Sequence, residues 1–452
     1  MGKEAVAVTI YTSYDVRIPT REFNKAFADT TEKYRAAVVF FISIRMQEAA
    51  LFAELKGGHA QLRTMELLTN RTKDNPDPKY DFGKDFYKFP CYLRRAAIME
   101  ALGKVSSYES NLATWNGRRE GKKPGKPAAG YVYPALYRDN TYVREEECSA
   151  QVKVWIRNTW DWITVPLRKT DVSYIRRNCS GRKECVPTLR KRHNFWVLSC
   201  SFEEKTKQAD VPLEERIVLS VDLGVNSACV CTAMCSDGTV LGRKFLKLPK
   251  EEDSLTHALN KIKKAQQHGN RKTPGLWAKA KGINDRISVL TAQFIVDTAV
   301  LFSAAVIVFE SLDVRGRKKG SRSKRRRIHH WRAQYVQRMV TNKAHRLGIR
   351  ISRVNAWGTS SLAYDGSGKV IRGKDAGFKT GAMCRFRNGK AYNCDLNASY
   401  NIGARYFIRE ILKSLPETER LRIEAKVPQC SKRSTSTFAT FISLCAELHA
   451  AA

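Results

Sequence analysis

The sequence predicts a multidomain α/β protein, and three observations carry that reading. Helical periodicity dominates residues 19–115, alternating strands follow it, and beyond residue 213 short apolar strands and long amphipathic helices take turns. With 452 residues and 43% hydrophobic content, the chain has enough material for several cores.

Residues 4–11 alternate as a strand. From Pro19 the apolar residues Phe23, Phe27, Tyr34, Val38 and Phe41 recur at helical steps, a second helix is expected over 44–69, and a third runs from Tyr92 to Trp115 with Arg94, Arg95 and Lys104 on its polar side. Residues 117–130, rich in Gly, Lys and Pro, read as a loop and a boundary. Val152, Val154 and Ile156 then alternate with polar or aromatic partners, Trp160–Val165 forms a second strand and His193–Phe202 a third. Together with the first strand they predict a small antiparallel barrel or sheet, split in sequence. Cys179 and Cys185 bracket a segment whose spacing is wrong for a zinc knuckle, and it reads as a hairpin loop.

Charge narrows the partners. The chain carries 80 Lys and Arg against 44 Asp and Glu, a formal net charge of +36. Self-repulsion on that scale disfavours a compact state unless a polyanion neutralises it, so nucleic acid is the expected partner. The cysteines Cys229, Cys231 and Cys235 lie along one strand pattern, which suits buried thiols in a reducing compartment rather than disulfides. No signal-peptide pattern opens the sequence, and the most apolar stretch, Phe294 to Phe309, is interrupted by Asp297 and Ser303. A cytosolic protein without a membrane partner is expected.

The chemistry is concentrated in three places. Ile217–Val221 is an apolar strand that ends in Asp222, followed by Gly224. Strands over 228–234 and 239–246 follow, then helices over 253–268 and 276–304. A second apolar strand, Ala304–Phe309, ends in Glu310. Burying a lone carboxylate is costly without a partner or a metal, so a carboxylate at the end of each strand points to a site. Residues 315–327 form the densest basic run, including Arg317, Lys318, Lys319, Arg325, Arg326 and Arg327, placed to lie along the phosphates of a bound strand. A helix is expected from His329 to Leu347 and a strand over 349–354. Asp395 begins a further helix with the stripe Leu396, Tyr400, Ile402 and Tyr406. The last forty residues are expected to pack loosely, apart from a helix near 438–448. Three carboxylates on separate elements, with no clustered His or Cys, suit hard cations such as Mg²⁺. Two such ions held together cleave phosphodiesters.

At these residues the sequence resembles a known family, the TnpB-type transposon-associated RNA-guided nucleases, which contain a RuvC domain of the RNase H-like fold and are related to compact type V CRISPR effectors. The resemblance is carried by Val221-Asp222-Leu223-Gly224-Val225-Asn226, by Val308-Phe309-Glu310-Ser311-Leu312, and by Asp395-Leu396-Asn397-Ala398-Ser399-Tyr400-Asn401-Ile402, in the order of the three RuvC motifs. Trp357-Gly358-Thr359-Ser360 looks like the segment that opens the family's small insert. The resemblance implies an RNA-guided DNA endonuclease in a bacterial cytosol or nucleoid, with a guide RNA and double-stranded target DNA as partners. It implies Asp222, Glu310 and Asp395 as catalytic residues and ligands of two Mg²⁺ ions, with Mn²⁺ as a substitute. Arg385 and Arg387 are candidate phosphate contacts.

The implied organisation is a first wedge strand over 1–18, a helical recognition lobe over 19–122 and a wedge β-barrel over 123–212. The RuvC domain with its helical segment and basic lid loop covers 213–355, a target-strand-loading-type insert 356–394, the third motif and its helix 395–412, and a C-terminal tail 413–452. A CRISPR effector of the same chemistry, a non-cleaving RNA-guided DNA binder and a strand-joining transposase are the alternatives. The sequence departs from the family in its insert. Many members carry two Cys-x-x-Cys pairs there, whereas this chain has only Cys384 and Cys394, ten residues apart. A structural zinc wants four Cys or His ligands at short spacings, so none is expected. Elemental analysis of the purified chain should find no stoichiometric zinc; one zinc per chain would overturn that expectation.

Overall fold

A computed structural model describes residues 7–118, 122–137, 139–145, 148–224, 228–312 and 332–450. It is a mixed α/β protein of two compact units: Tyr11–Glu204, and Lys205–Ala452 together with the residues up to Ile10. Among the described residues no helix is long and apolar enough to cross a membrane.

In the Tyr11–Glu204 unit, β1 (Ala7–Ile18) leads into α1 (Asn24–Gln47), α2 (Ala49–Ala53), α3 (Gly58–Thr69), α4 (Phe82–Asp85) and α5 (Cys91–Arg118). The helix expected over 44–69 is broken twice, at Glu48 and again before α3, where Gly57 takes a φ of 89°, a left-handed conformation that glycine adopts without strain. Phe41, Phe52, Phe82 and Leu93 fill the helical core. The strands β2 (Tyr142–Arg144), β3 (Ser149–Ile156) and β4 (Thr159–Pro166) make one antiparallel sheet. After α6 (Lys169–Asn178), β5 (Lys183–Glu184), β6 (Thr188–Arg192) and β7 (Phe195–Lys207) join β1 in a second sheet.

The expected barrel is therefore corrected: among the described residues these are two sheets that do not close. They share a core in which Val152, Val154 and Val165 meet Val16, Leu189 and Leu198. Closure needs long edge strands to pair. Here β2 and β5 are only three and two residues long, and the chain leaves β4 through helix α6 instead of a strand.

The other unit is built on a five-stranded sheet in the order β10 (Val240–Leu246), β9 (Cys229–Met234), β8 (Val218–Asp222), β11 (Val306–Ser311), β12 (Arg350–Asn355). The β8–β9–β10 run is antiparallel, whereas β8, β11 and β12 are parallel. Parallel neighbours need crossover connections. The segment carrying α7 (Pro249–Gln267) and α8 (Pro274–Leu301) links β8 and its hairpin to β11, and α9 (Ala333–Arg346) precedes β12. Small strands β13 (Ile371–Arg372), β14 (Met383–Arg385) and β15 (Ala391–Asn393) come next, followed by α10 (Cys394–Ser414), α11 (Glu417–Lys426) and α12 (Phe438–His449).

Alternation along each strand divides the core in two. Leu219, Val221, Ile307 and Phe309 meet Ile295, Val296, Val336 and Val340 of α8 and α9. Val218, Val306 and Val308 meet Tyr400, Phe407 and Ile411 of α10 on the opposite face.

The C-terminal residues, expected to pack loosely, belong to this second core. Ile423, Phe441 and Leu444 are buried in it, and the Phe441 ring stacks on Phe407 at 5.2 Å and 5°. Short helices hid this, because their burial depends on partners far away in sequence. Phe441→Ala should cost about 3–5 kcal/mol in denaturant unfolding of the full chain, whereas Leu421→Ala, at 56% exposure, should change it by about 0.5 kcal/mol or less. Equal effects would mean that the C-terminal helix is not part of the core.

Candidate active site

Strand register places the first two carboxylates side by side. Phe309 pairs with Val221 across the parallel β8–β11 ladder, so Asp222 and Glu310 stand at neighbouring carboxyl ends. They share the parity of Val218 and Val308, so both lie on the α10 face of the sheet. Asp395 occupies the first turn of α10, where the N-cap Asn393 accepts the Asp395 and Leu396 amides through Oδ1 at 3.0 and 2.9 Å. A negative side chain is favoured at that end of a helix.

Close packing brings α10 to the sheet. The Thr232 and Ser399 hydroxyls are 2.6 Å apart, Ser220 Oγ donates to the Thr232 carbonyl at 3.1 Å, and a Cβ on Gly403 would come 3.3 Å from Met234 and from Ser220 Oγ. Further along the helix, a polar stripe at four-residue steps holds two chain segments. Asn397 donates to the Leu362 carbonyl at 2.8 Å and accepts the Tyr364 amide. Asn401 donates to the carbonyls of Thr359 and Leu362 and accepts the Phe438 amide. Arg405, 4% exposed, donates to the carbonyls of Asn355, Trp357, Ser434 and Ser436 at 2.7–2.9 Å. Burial lowers its pKa to about 10, with the Glu310 charge working in the opposite direction. It stays a cation at neutral pH.

The three carboxylates act on one another. Burial, then Glu310 and Asp395, push the Asp222 carboxyl well above the usual carboxylate range, and Arg372 opposes the shift. Thr359 donates its hydroxyl to Glu310 Oε1, and Gln337 Nε2 donates to the Glu310 carbonyl at 3.0 Å. All three acidic donors are hard oxygens, which fits a hard divalent cation. Among the described residues no three His, Cys, Asp or Glu side chains stand in a finished metal cage. The chain draws the acids to one place without closing ligands around a point.

The basic run containing Arg317, Lys318, Lys319, Arg325, Arg326 and Arg327 lies outside the described residues. Arg385 is exposed, donates to the Gly389 carbonyl at 3.2 Å and has its guanidinium 5.5 Å from the Phe378 ring centre; Arg387 is exposed beside Gly368. The cation whose charge acts on Asp222 is instead Arg372, which donates to the Ser360 carbonyl. No local pattern marks Arg372, because only its β13–β14 pairing opposite Cys384 carries it there. The Asn397, Asn401, Arg405 spacing was visible in the sequence as a polar stripe on an otherwise apolar helix. Around the insert, Cys384 and Cys394 are buried beside Ala363 and Phe386, the Cys384 thiol donates to the Tyr392 carbonyl at 3.4 Å, and the Tyr364 ring packs on Phe386, Tyr392 and Tyr400.

Known proteins resemble this chain in parts. The TnpB-like protein aq_aa05 of Aquifex aeolicus (strain VF5) is 27% identical over 232 residues, 47% of this chain and 74% of that protein. Over that stretch the chain is similar to a TnpB-like protein. Its N-terminal part matches the Aq_aa04 family over residues 11–156. The uncharacterized protein aq_aa04 of the same organism is 37% identical over 81 residues, 18% of this chain and 44% of that protein. Among solved structures, the Cas12f1–sgRNA–target DNA complex aligns at 14% identity and a TM-score of 0.32, over 87% of this chain and 98% of that one. Alicyclobacillus acidoterrestris C2c1 with its single-guide RNA aligns at 11% and 0.41, over 85% and 69%.

A carboxyl whose pKa is raised by folding stabilises the fold while protonated. That contribution is complete below the ordinary carboxylate value of about 4 and is lost as pH rises through the raised value. Asp222→Asn in EDTA is therefore expected to raise the melting temperature near pH 8 and to change it little near pH 4. The scale is about 2–4 °C per kcal/mol. An unchanged or lower melting temperature at pH 8 would contradict the mutual repulsion.

Proposed function

We propose that this TnpB relative is an RNA-guided endonuclease that cleaves target DNA at one RuvC-type site formed by Asp222, Glu310 and Asp395. The observation that carries the reading is the convergence of these acids, two from adjacent parallel strand ends and one from the first turn of α10, on one face of the sheet.

In this reading Asp222, Glu310 and Asp395 would together hold two divalent cations, Mg²⁺ or in substitution Mn²⁺. When bound, such a pair activates water and stabilises the leaving oxygen of a phosphodiester. The protein's own part is positional. Thr359 orients the Glu310 carboxylate through its hydroxyl, Asn393 caps the turn that presents Asp395, and Arg405 fixes the 355–359 segment from which Thr359 reaches Glu310. Arg372, the cation nearest in effect to Asp222, is suited to meet the phosphate under attack.

Guide dependence is supported by the charge of +36, which a bound RNA offsets. Sequence selection then falls to base pairing, with the protein reading backbone shape and a short flanking motif. On this reading the five-stranded sheet with its helices is the RuvC domain. The paired sheets of the Tyr11–Glu204 unit serve as the wedge and its helices as the recognition lobe.

Cleavage is tested by sequencing the RNA that co-purifies with the chain and offering a plasmid with a matched site in Mg²⁺. Asp222→Ala, Glu310→Ala and Asp395→Ala should each abolish cutting while leaving RNA and DNA binding within a few-fold, because binding rests on Lys and Arg elsewhere. A variant that cuts at the parent rate removes that residue from the site. Equal cutting without RNA, at unmatched sites, would leave only a metal-dependent nuclease.

A further inference from the structure

A second charged site lies in the unit that carries the acids. The C-terminal half of α10, the edge strand β12, α11 and the turn at 428–436 enclose a cavity of about 450 Å³. Five arginines, Arg353, Arg405, Arg409, Arg420 and Arg433, and Lys413 line it against one lining carboxylate, Glu424.

Several of these cations are already held in place. Arg405 is anchored by its four carbonyl bonds, and Arg409 donates to the Arg353 carbonyl at 2.9 Å, to Ser352 Oγ at 2.7 Å and to Glu410 at 2.8 Å. Arg353 donates to Gln337 Oε1 at 3.3 Å. Lys413 shares Glu410 with Arg409 at 3.7 Å, Arg420 reaches Glu417 only at 3.6 Å, and no ion pair of Arg433 is found among the described residues. Like charges gathered around a concave wall repel one another unless an anion sits among them. The forks of Arg420 and Arg433, beside the anchored charges of Arg405 and Arg409, match an oxyanion with three or four acceptor oxygens better than a planar carboxylate, which a single fork can satisfy. The volume suits a phosphorylated ligand.

We propose that this cavity is a phosphate-binding site, separate from the three acids, that takes either a backbone phosphate of a nucleic-acid strand or a small phosphorylated compound. The site has walls from three separated stretches of chain, so it exists only when the C-terminal segment is packed on the sheet. That gives residues 417–436 a binding role in addition to their place in the core.

The test uses the full chain and two double variants: Arg420→Gln/Arg433→Gln in the cavity, and Lys261→Gln/Lys264→Gln on exposed positions of α7 as a charge-matched control. Pyrophosphate binding is measured by calorimetry, and binding of a short labelled single-stranded DNA by anisotropy, at one salt concentration. Thermal melts confirm that both variants fold, and Arg433→Gln alone serves if the double variant does not. The cavity variant should lose about tenfold or more in pyrophosphate affinity, as expected for removing charge-assisted contacts, with little change in the control. If pyrophosphate also displaces the DNA from the parent chain but not from the cavity variant, the natural ligand is a strand's phosphate. If DNA affinity is the same in all three proteins, it is a small phosphorylated compound. Equal pyrophosphate affinity in all three, or the same loss in both variants, would overturn the site.

Discussion

Asp222, Glu310 and Asp395 carry like charges at the edge of an apolar core, and the arrangement of the Lys205–Ala452 unit follows from keeping them together. Desolvation and mutual repulsion both favour neutral carboxyls, which is the state towards which Asp222 is pushed. The restraint comes from the backbone. Parallel pairing of β8 with β11 fixes two of the acids, and the capped start of α10 fixes the third. On the proposed reading, a cation held among them would remove that repulsion.

Helix α10 does more than present Asp395. On one side its small residues let it approach the sheet at Ser220 and Thr232, while its apolar residues fill the core. Its polar stripe ties down the 355–364 segment and the 434–438 segment through backbone carbonyls and amides. Breaking a buried, fully bonded arginine such as Arg405 would strand four carbonyls and release the segment that orients Glu310. The C-terminal segment is thereby joined to the acidic site by the same helix, although its contacts lie far from the acids in sequence.

Much of the acidic site was legible because its signals are local. Short β-branched runs that stop at a carboxylate, and a helix that begins at one, can be read without knowing what packs on them. The segments that misled the reading depend on distant partners. Alternation alone points to a barrel, yet closure is decided by edge lengths and by helix α6, which no strand or helix pattern marks in the sequence. The polar Ser431–Thr437 run suggested slack packing, but its carbonyls are the acceptors of Arg405 and its neighbours Cys430 and Phe441 are core residues. Arg372 carries no mark in the sequence at all, since a two-stranded pairing brings it to Asp222.

The central claim is that the three acids form one cation site. Its most direct measurement is the anomalous diffraction of crystals of the full chain grown in millimolar Mn²⁺, compared with crystals of the Asp222→Asn variant. Manganese density is expected among Asp222, Glu310 and Asp395 at about 2.0–2.6 Å from their oxygens, weakened or lost in the variant. Parent crystals without manganese at that position would contradict it.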